Sequence, residues 1–582
     1  MAEFSKLVIT NKGQALLAKM IAGSGNIEFT KVSASSTTYT DEQLEGLTSL
    51  SDVKQTSLIS KVTRTNEVAI KVEAAFTNTE LTAGYYMKAL GLYAVDPDDG
   101  EILYAVTRET SGNCYMPAYN GITVSGAYVQ LVTTVGNAEN VSLEVDQAAV
   151  ATIGDIQDLQ KQIADLEAFI GYSDSDIFGV EVDFVNKKFT RLSGAVNRTP
   201  GAAFDSINAF GGRKRCNVTD DGTVTAYYGD SSYTTTGKNI AGTTVQVMVE
   251  QPKFYYKVVP MVLEKSVKGM KIRKARYYVS DTLKPGFKVH PAFVENGNVN
   301  PYIYLAAFEG SLFDTSTNAY ILDNAQVADF ANDKLSSIAG AKPAGGDSQN
   351  LTRENTRSLA WNRGRGWEQE YAATVAASQL LMLIEYASFN MQTAIGRGNT
   401  DQTSSTANIQ YTGATVSLGN ASGAVTNANG IQLISYRGEE NFWGNIWTWV
   451  DGMNEVNPDP FENGQAGTLY VADHNFSDDP MTIYYKDTGI HPIKGSGYVS
   501  AFGYSEEFDW LFIGVEFSGN DALPVGDYHW NNNPGRRVAV LGGCCYYGYG
   551  AGAFCWSLYN AASYRYWYVG GRLVYVPSKK AA

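Results

Sequence analysis

The sequence predicts a multidomain, β-rich α+β chain, and three observations carry that expectation. Its 582 residues exceed what a single core ordinarily holds. Period-two alternation recurs between Gly, Asp and Asn turns, as in KALGLYAV-DPDDG-EILYAVT over 88–107. One segment, Ala372 to Tyr386, keeps a long helical apolar period. The 57 glycines and 37 tyrosines suit loop-rich β surfaces.

Elements follow in chain order. Thr10 or Asn11 caps a helix through Met20, with Leu16, Leu17, Met20 and Ile21 as its apolar stripe and Gly23 as its stop. A strand runs from Asn26 to Val32, and the hairpin over 88–107 follows. Its turn residues Asp96, Asp98 and Asp99 imitate the start of a calcium loop without the later ligands, so they read as turn formers. Ile156, Leu159, Ile163, Leu166 and Ile170 alternate at three and four spacing, a short heptad seam whose Ile and Leu positions lean toward two strands but which is too short to decide between dimer and trimer. The competing reading of that seam is an amphipathic helix packed on its own domain.

Beyond Gly179 the chain turns β-rich and aromatic. Strands are expected in DFVNKKFTRL, VQVMVEQPKFYYKVV and IRKARYYVS, with a turn at Asp220-Asp221-Gly222. Polar stretches near Gly340–Gln349 and over 396–413 read as loops. The expected organisation is a first domain over 1–145, a coiled-coil linker over 146–172, a β-rich region over 173–330 and a last domain over 331–577.

The most unusual stretch is LGGCCYYGYGAGAFCWSLYNAASYRYWYVGGRL, residues 541–573. It holds seven tyrosines and three of the five cysteines, but no Lys, Asp, Glu, Gln or His. An asparagine codon mutated only at its adenines yields Tyr, Ser, Cys, Arg, Gly or Asn, and never Lys, Glu, Gln or a stop. The candidate variable, ligand-binding set is Cys544, Tyr546, Tyr547, Tyr549, Cys555, Ser557, Tyr559, Asn560, Tyr564, Arg565, Tyr566 and Tyr568, with Tyr564, Arg565, Tyr566 and Tyr568 as its centre. Gly542, Gly543, Gly552, Phe554, Trp556, Trp567, Gly570, Gly571 and Arg572 form the frame between them. The plainer alternative is a pair of Gly-rich aromatic hairpins, but adjacent tyrosines do not alternate with a buried face as a strand requires.

Enzymatic motifs are sparse. The cysteines at 114, 216, 544, 545 and 555 form no CxxC pair and no even framework. His290, His474, His491 and His529 lie far apart with no ligand spacing. No G-x-S-x-G elbow occurs, and GYGAGAF lacks the Lys and helix pattern of a phosphate loop. Glu439, Glu440, Asp451, Glu455, Asp459 and Glu462 cluster in sequence and read first as a solvated acidic loop, with a structural Ca²⁺ or a glycosidase pair as alternatives. No cofactor is expected beyond that Ca²⁺. A net charge of −15 disfavours nucleic acid as a partner, no run is long enough to span a bilayer, and the N-terminus has no secretory layout.

Three resemblances give these patterns a context. The opening F-S-x-x-x-x-T-x-x-G-x-x-L-x-A-K, followed by G-x-x-x-I-x-F-T, resembles the N-terminal domain of phage tail-collar and tail-fibre proteins, which implies attachment to tail or baseplate proteins. The core G-N-x-W-x-W-V-D at 444–451 resembles formylglycine-generating-enzyme-like and C-type-lectin-like folds. The restricted alphabet resembles the variable proteins of diversity-generating retroelements, which display such a cassette on that fold. Together they imply a homotrimeric fibre in the virion tail that binds a host-surface receptor, protein or glycan, through residues 541–573, and that is not an enzyme. A formylglycine-type oxidase and a purely structural tail component are the alternatives. The paratope-like alphabet fits the first reading, because Tyr gains contact area at low entropy cost.

Overall fold

Alternating segments form strands here, and turn chemistry joins them into hairpins. The computed structural model describes residues 4–23, 27–66, 69–110, 112, 114–119, 126–134, 162–163, 165–167, 170–323 and 328–577. Strand outweighs helix, 38% against 14%, so the chain is β-rich. It divides into two compact units, Met1–Ile163 and Ala164–Ala582.

In the first unit the helix Asn11–Gly23 begins where the Thr10 hydroxyl accepts the Gly13 amide at 3.0 Å. Leu16 is buried, whereas Ile21 is 53% exposed, so the apolar stripe is narrower than the sequence suggests. A seven-stranded antiparallel sheet carries the unit, in the order 8–9, 100–108, 89–96, 28–35, 53–66, 69–77, 126–134. The expected hairpin pairs Ala89–Asp96 with Gly100–Arg108. In its turn Asp96 accepts the Asp98 and Asp99 amides, while Lys19 Nζ reaches its carboxylate at 2.8 Å. That ammonium occupies the place a cation ligand set would need.

Of the heptad seam, Ile156 and Leu159 lie outside the described residues. Ile163, Leu166 and Ile170 are 50%, 58% and 69% exposed, so these seam residues are largely uncovered, although Asp165 beside them pairs with Lys257.

The second unit is built on three larger sheets. One has the order 188–193, 177–183, 270–280, 255–265, 288–289, with 501–504 added at 270–280. Another runs 224–227, 214–218, 246–252, 302–306, 573–575, 367–369. The boundary expected at residue 330 therefore does not separate domains. Tyr302–Ala306 sits between Gln246–Pro252 and the chain's last strand, Leu573–Tyr575, so residues on both sides of 330 complete one sheet.

Between these layers the helix Ala372–Tyr386 is buried at every position from Ala372 to Glu385. Its polar groups are used: Ser378 donates to Glu439 at 2.7 Å, and Glu385 holds Arg437 at 2.7 Å. A second helix, Arg353–Trp361, was not expected from sequence; the Thr352 hydroxyl caps it by accepting the Asn355 amide. Phe184, Phe389, Phe502, Phe512 and Phe554 meet edge-to-face or stacked in the principal core.

The third sheet is centred on Trp447–Asn457, which pairs antiparallel with Thr468–Val471 and Gly535–Leu541. Trp443, Trp447 and Trp449 are buried, and the Trp449 indole donates to Leu351 O at 3.0 Å. The acidic-loop reading fails for four of its six residues. Glu439, Glu440, Asp451 and Glu455 are fully buried and paired, with Arg213, Thr415, Arg357 and Asn531 respectively. A buried carboxylate needs such partners, and they leave these four committed within the fold. Asp459 and Glu462 are exposed. Among the described residues no helix is long and apolar enough to cross a membrane, and no cluster of three His, Cys, Asp or Glu is arranged to hold a metal.

Candidate ligand-binding face

Residues 541–573 form one continuous feature of the second unit. Gly535–Leu541 and Trp556–Asn560 pair antiparallel, with a loop over 542–555 joining them. A second loop over 561–568 returns the chain to Val569–Gly570, which lies parallel to Trp447 and Thr448. The tryptophan-rich strand therefore underlies both loops.

The frame residues fix the loops for identifiable reasons. Gly543 has φ +80°, and a Cβ there would stand 2.5 Å from the Ala551 Cβ. At Gly552 a Cβ would stand 2.1 Å from an Asp527 carboxylate oxygen. Asp527 needs that space because its other oxygen accepts the Phe554 amide at 2.6 Å, with burial pushing its carboxyl well above the usual range. Arg572 is buried and donates to Ala306 O at 3.0 Å. Side chains from outside also fasten the first loop. Gln379 donates to Ala553 O at 2.7 Å, and Gln392 donates to Gly548 O and Ala551 O at 2.9 and 2.6 Å.

The candidate residues divide by depth. Cys544 and Cys555 are fully buried and pack with Trp447, Trp449, Val538, Val540 and Val569; Ser557 is 5% exposed. These three lie beneath the surface, where a ligand has no access, because small side chains at those positions are what the tryptophan layer accommodates. Burial raises both thiols well above their ordinary value. Trp567, placed in the frame, is only half-buried.

The remaining candidates reach the surface, and five of them, Tyr546, Tyr547, Tyr564, Tyr566 and Tyr568, form a chain of ring contacts. Tyr546 lies 5.0 Å from Tyr547 and 5.5 Å from Tyr568, measured between ring centroids. Tyr568 in turn lies 4.7 Å from Tyr566, and Tyr566 stacks at 6.4 Å on Tyr564. The Tyr564 and Tyr568 hydroxyls are 2.9 Å apart. Trp447 and Trp530 support Tyr547 from below, at 5.2 and 5.1 Å. Burial is the main cause that raises the hydroxyls of Tyr546, Tyr547 and Tyr564, so they remain neutral donors at physiological pH.

Beside this ring chain is a shallow cleft of about 510 Å³ lined by Asn533, Arg537, Tyr559, Asn560, Tyr564 and Arg565 among others. Tyr559 is 45% exposed there, and Tyr566 in the ring chain is 40% exposed. Tyr549 stands apart from the ring chain and is covered on one face by the Arg397 guanidinium at 4.4 Å. Asn533, Arg537 and Arg397 were missed by sequence reasoning. They come from segments without an unusual alphabet, and only the fold brings them beside the tyrosines.

The comparisons with known proteins bear on the other end of the chain. Residues 1–154 match the family described as phage tail-collar fibre protein, N-terminal. This supports a phage tail fibre, associated with other tail proteins in the virion. The match covers about a quarter of the sequence and stops well before the tyrosine face. No curated protein matches the chain.

Proposed function

We propose that this tail-fibre chain is a receptor-binding protein, with the tyrosine face of its second unit as the site that recognises a ligand on the host surface. The observation that carries the reading is depth sorting: Tyr546, Tyr547, Tyr559, Asn560, Tyr564, Arg565, Tyr566 and Tyr568 gather at one surface, on a frame held by buried Gly, Trp and Arg residues. A surface rich in Tyr and Arg supplies large, stiff, amphipathic contact area, the composition that dominates binding hot spots.

The lectin-like fold remains part of this proposal. It is supported by the G-N-x-W-x-W-V-D core forming the centre of a sheet whose neighbours carry the loops, and by the last strand closing back onto Tyr302–Ala306. Retroelement-driven diversification of the cassette is proposed on its alphabet. A homotrimer through the 146–172 segment is proposed on the exposed Ile163, Leu166 and Ile170, and it would multiply weak contacts by avidity. No catalytic role is assigned to Cys544, Cys545 or Cys555.

The test is adsorption of the purified full chain to host cells. Alanine at Tyr559, Tyr564 and Tyr566 together is expected to reduce binding at least about a hundredfold with an unchanged melting temperature. Retained binding in that variant would remove the tyrosine face from the account.

A further inference from the structure

A second cleft, of about 530 Å³, lies in the same unit and shares no lining residue with the tyrosine face. Its wall includes Trp361 at the end of the helix Arg353–Trp361, with Glu295, Asn300, Arg365 and Glu368 around it. Trp361 is 45% exposed although it is a large apolar side chain. The Arg357 guanidinium covers its ring at 5.9 Å, and its indole N–H donates to Glu368 Oε2 at 2.6 Å. The ring is therefore held in one orientation while much of its area faces solvent.

Asn300 supplies an independent sign that something is accommodated here. It is 4% exposed, it lines the cleft, and its side-chain amide nitrogen has no hydrogen-bond partner. A buried, unpaired amide donor is costly unless a ligand or water satisfies it.

The lining chemistry narrows the ligand. Apart from Trp361, Trp367 and Pro577 the wall is Asn, Glu, Arg and Gly, so it offers no pocket for an aliphatic side chain. Burial pushes the Glu368 carboxyl up to about 7 and raises Glu295 as well. Near neutral pH the Glu368 carboxyl therefore donates as well as accepts hydrogen bonds, which suits hydroxyl groups better than a fixed cation. A flat aromatic face beside planar carboxyl and amide groups is complementary to a sugar ring, with its apolar C–H face and its rim of hydroxyls.

We propose that this cleft is a second ligand site, distinct from the tyrosine face, and that it takes a neutral saccharide stacked on Trp361 and hydrogen-bonded by Glu295, Asn300 and Glu368. The site stands independently of the receptor-binding reading.

The experiment applies the purified full chain to an array of bacterial O-polysaccharides, capsular polysaccharides and peptidoglycan fragments, with a cationic peptide as a further spot. The unmodified chain is expected to retain at least one neutral saccharide, and the spot that responds identifies its source. Trp361→Ala is expected to weaken that binding about tenfold. Asn300→Ala, which deletes the unpaired amide and leaves the contacts of Trp361 in place, weakens it without altering the melting temperature and decides the matter if Trp361→Ala disturbs the fold. The triple alanine variant at Tyr559, Tyr564 and Tyr566 should bind the saccharide as before, which separates this site from the tyrosine face. Retention of no neutral saccharide, preference for the peptide, or saccharide binding that follows the tyrosine variant and ignores Asn300→Ala would each overturn the proposal.

Discussion

At the scale of single residues, neighbouring positions within residues 541–573 differ sharply in depth. Trp556 is 1% exposed and Tyr559, three residues on, is 45% exposed. Cys555 is sealed against the tryptophan layer, while Tyr546 rests its ring on Tyr547 and Tyr568. The two kinds of position should separate in stability measurements. Trp449→Ala removes a fully buried indole and its hydrogen bond to Leu351, and is expected to cost about 3–5 kcal/mol in denaturant unfolding. Trp567 was assigned the same role from sequence. Because it is only half-buried, Trp567→Ala is expected to cost less than about 2 kcal/mol. Equal losses would mean that depth does not sort the frame from the binding surface.

At the scale of elements, the first cassette loop has little regular structure of its own, apart from one short 3₁₀ turn at Gly548–Gly550. Its order comes from outside, from backbone bonds to Thr400, Gln402 and Asn445 and from Gln392 in the short helix Met391–Ala394, whose amide donates to two loop carbonyls. Gln392→Ala removes both bonds, leaving Gly548 O only its long bond from the Ala551 amide. Hydrogen exchange over residues 545–552 is expected to accelerate by about tenfold or more, while the strand Gly535–Leu541 keeps its protection. If the loop exchanges as before, its order lies elsewhere.

Elements were legible from sequence wherever local pattern and local chemistry agree. The hairpin over 88–107, the helix from Ala372 to Tyr386 and the strands flanking Lys253 all have period and turn residues pointing the same way. Long-range pairing was not legible. The closure of Leu573–Tyr575 onto Tyr302–Ala306 spans most of the unit, and nothing near either strand announces it. The carboxylates Glu439 to Glu455 misled for a related reason, since their partners Arg213, Thr415, Arg357 and Asn531 are remote in sequence. For the proposed binding face, the alphabet of residues 541–573 marked out a stretch of chain and no more. Depth within it, which sets Cys544, Cys555 and Ser557 below the surface, depends on tryptophans from another strand.

At the scale of the whole molecule, the match to the tail-fibre family lies in the first part of the chain and the tyrosine-rich face in the second compact unit, and the proposed reading assigns attachment to the one and recognition to the other. On the proposed reading, the second unit tolerates change at its surface because its stability is invested in layers that the changing positions do not enter. The most direct measurement exchanges Tyr546, Tyr559, Tyr564, Arg565, Tyr566 and Tyr568 together for other members of the same alphabet, Ser, Asn, Gly or Cys. The full-chain variant is then scored for melting temperature and for the panel of host strains it binds. The account predicts an unchanged melting temperature and a changed set of bound strains. A variant that keeps its original strains, or that loses its fold, would contradict it.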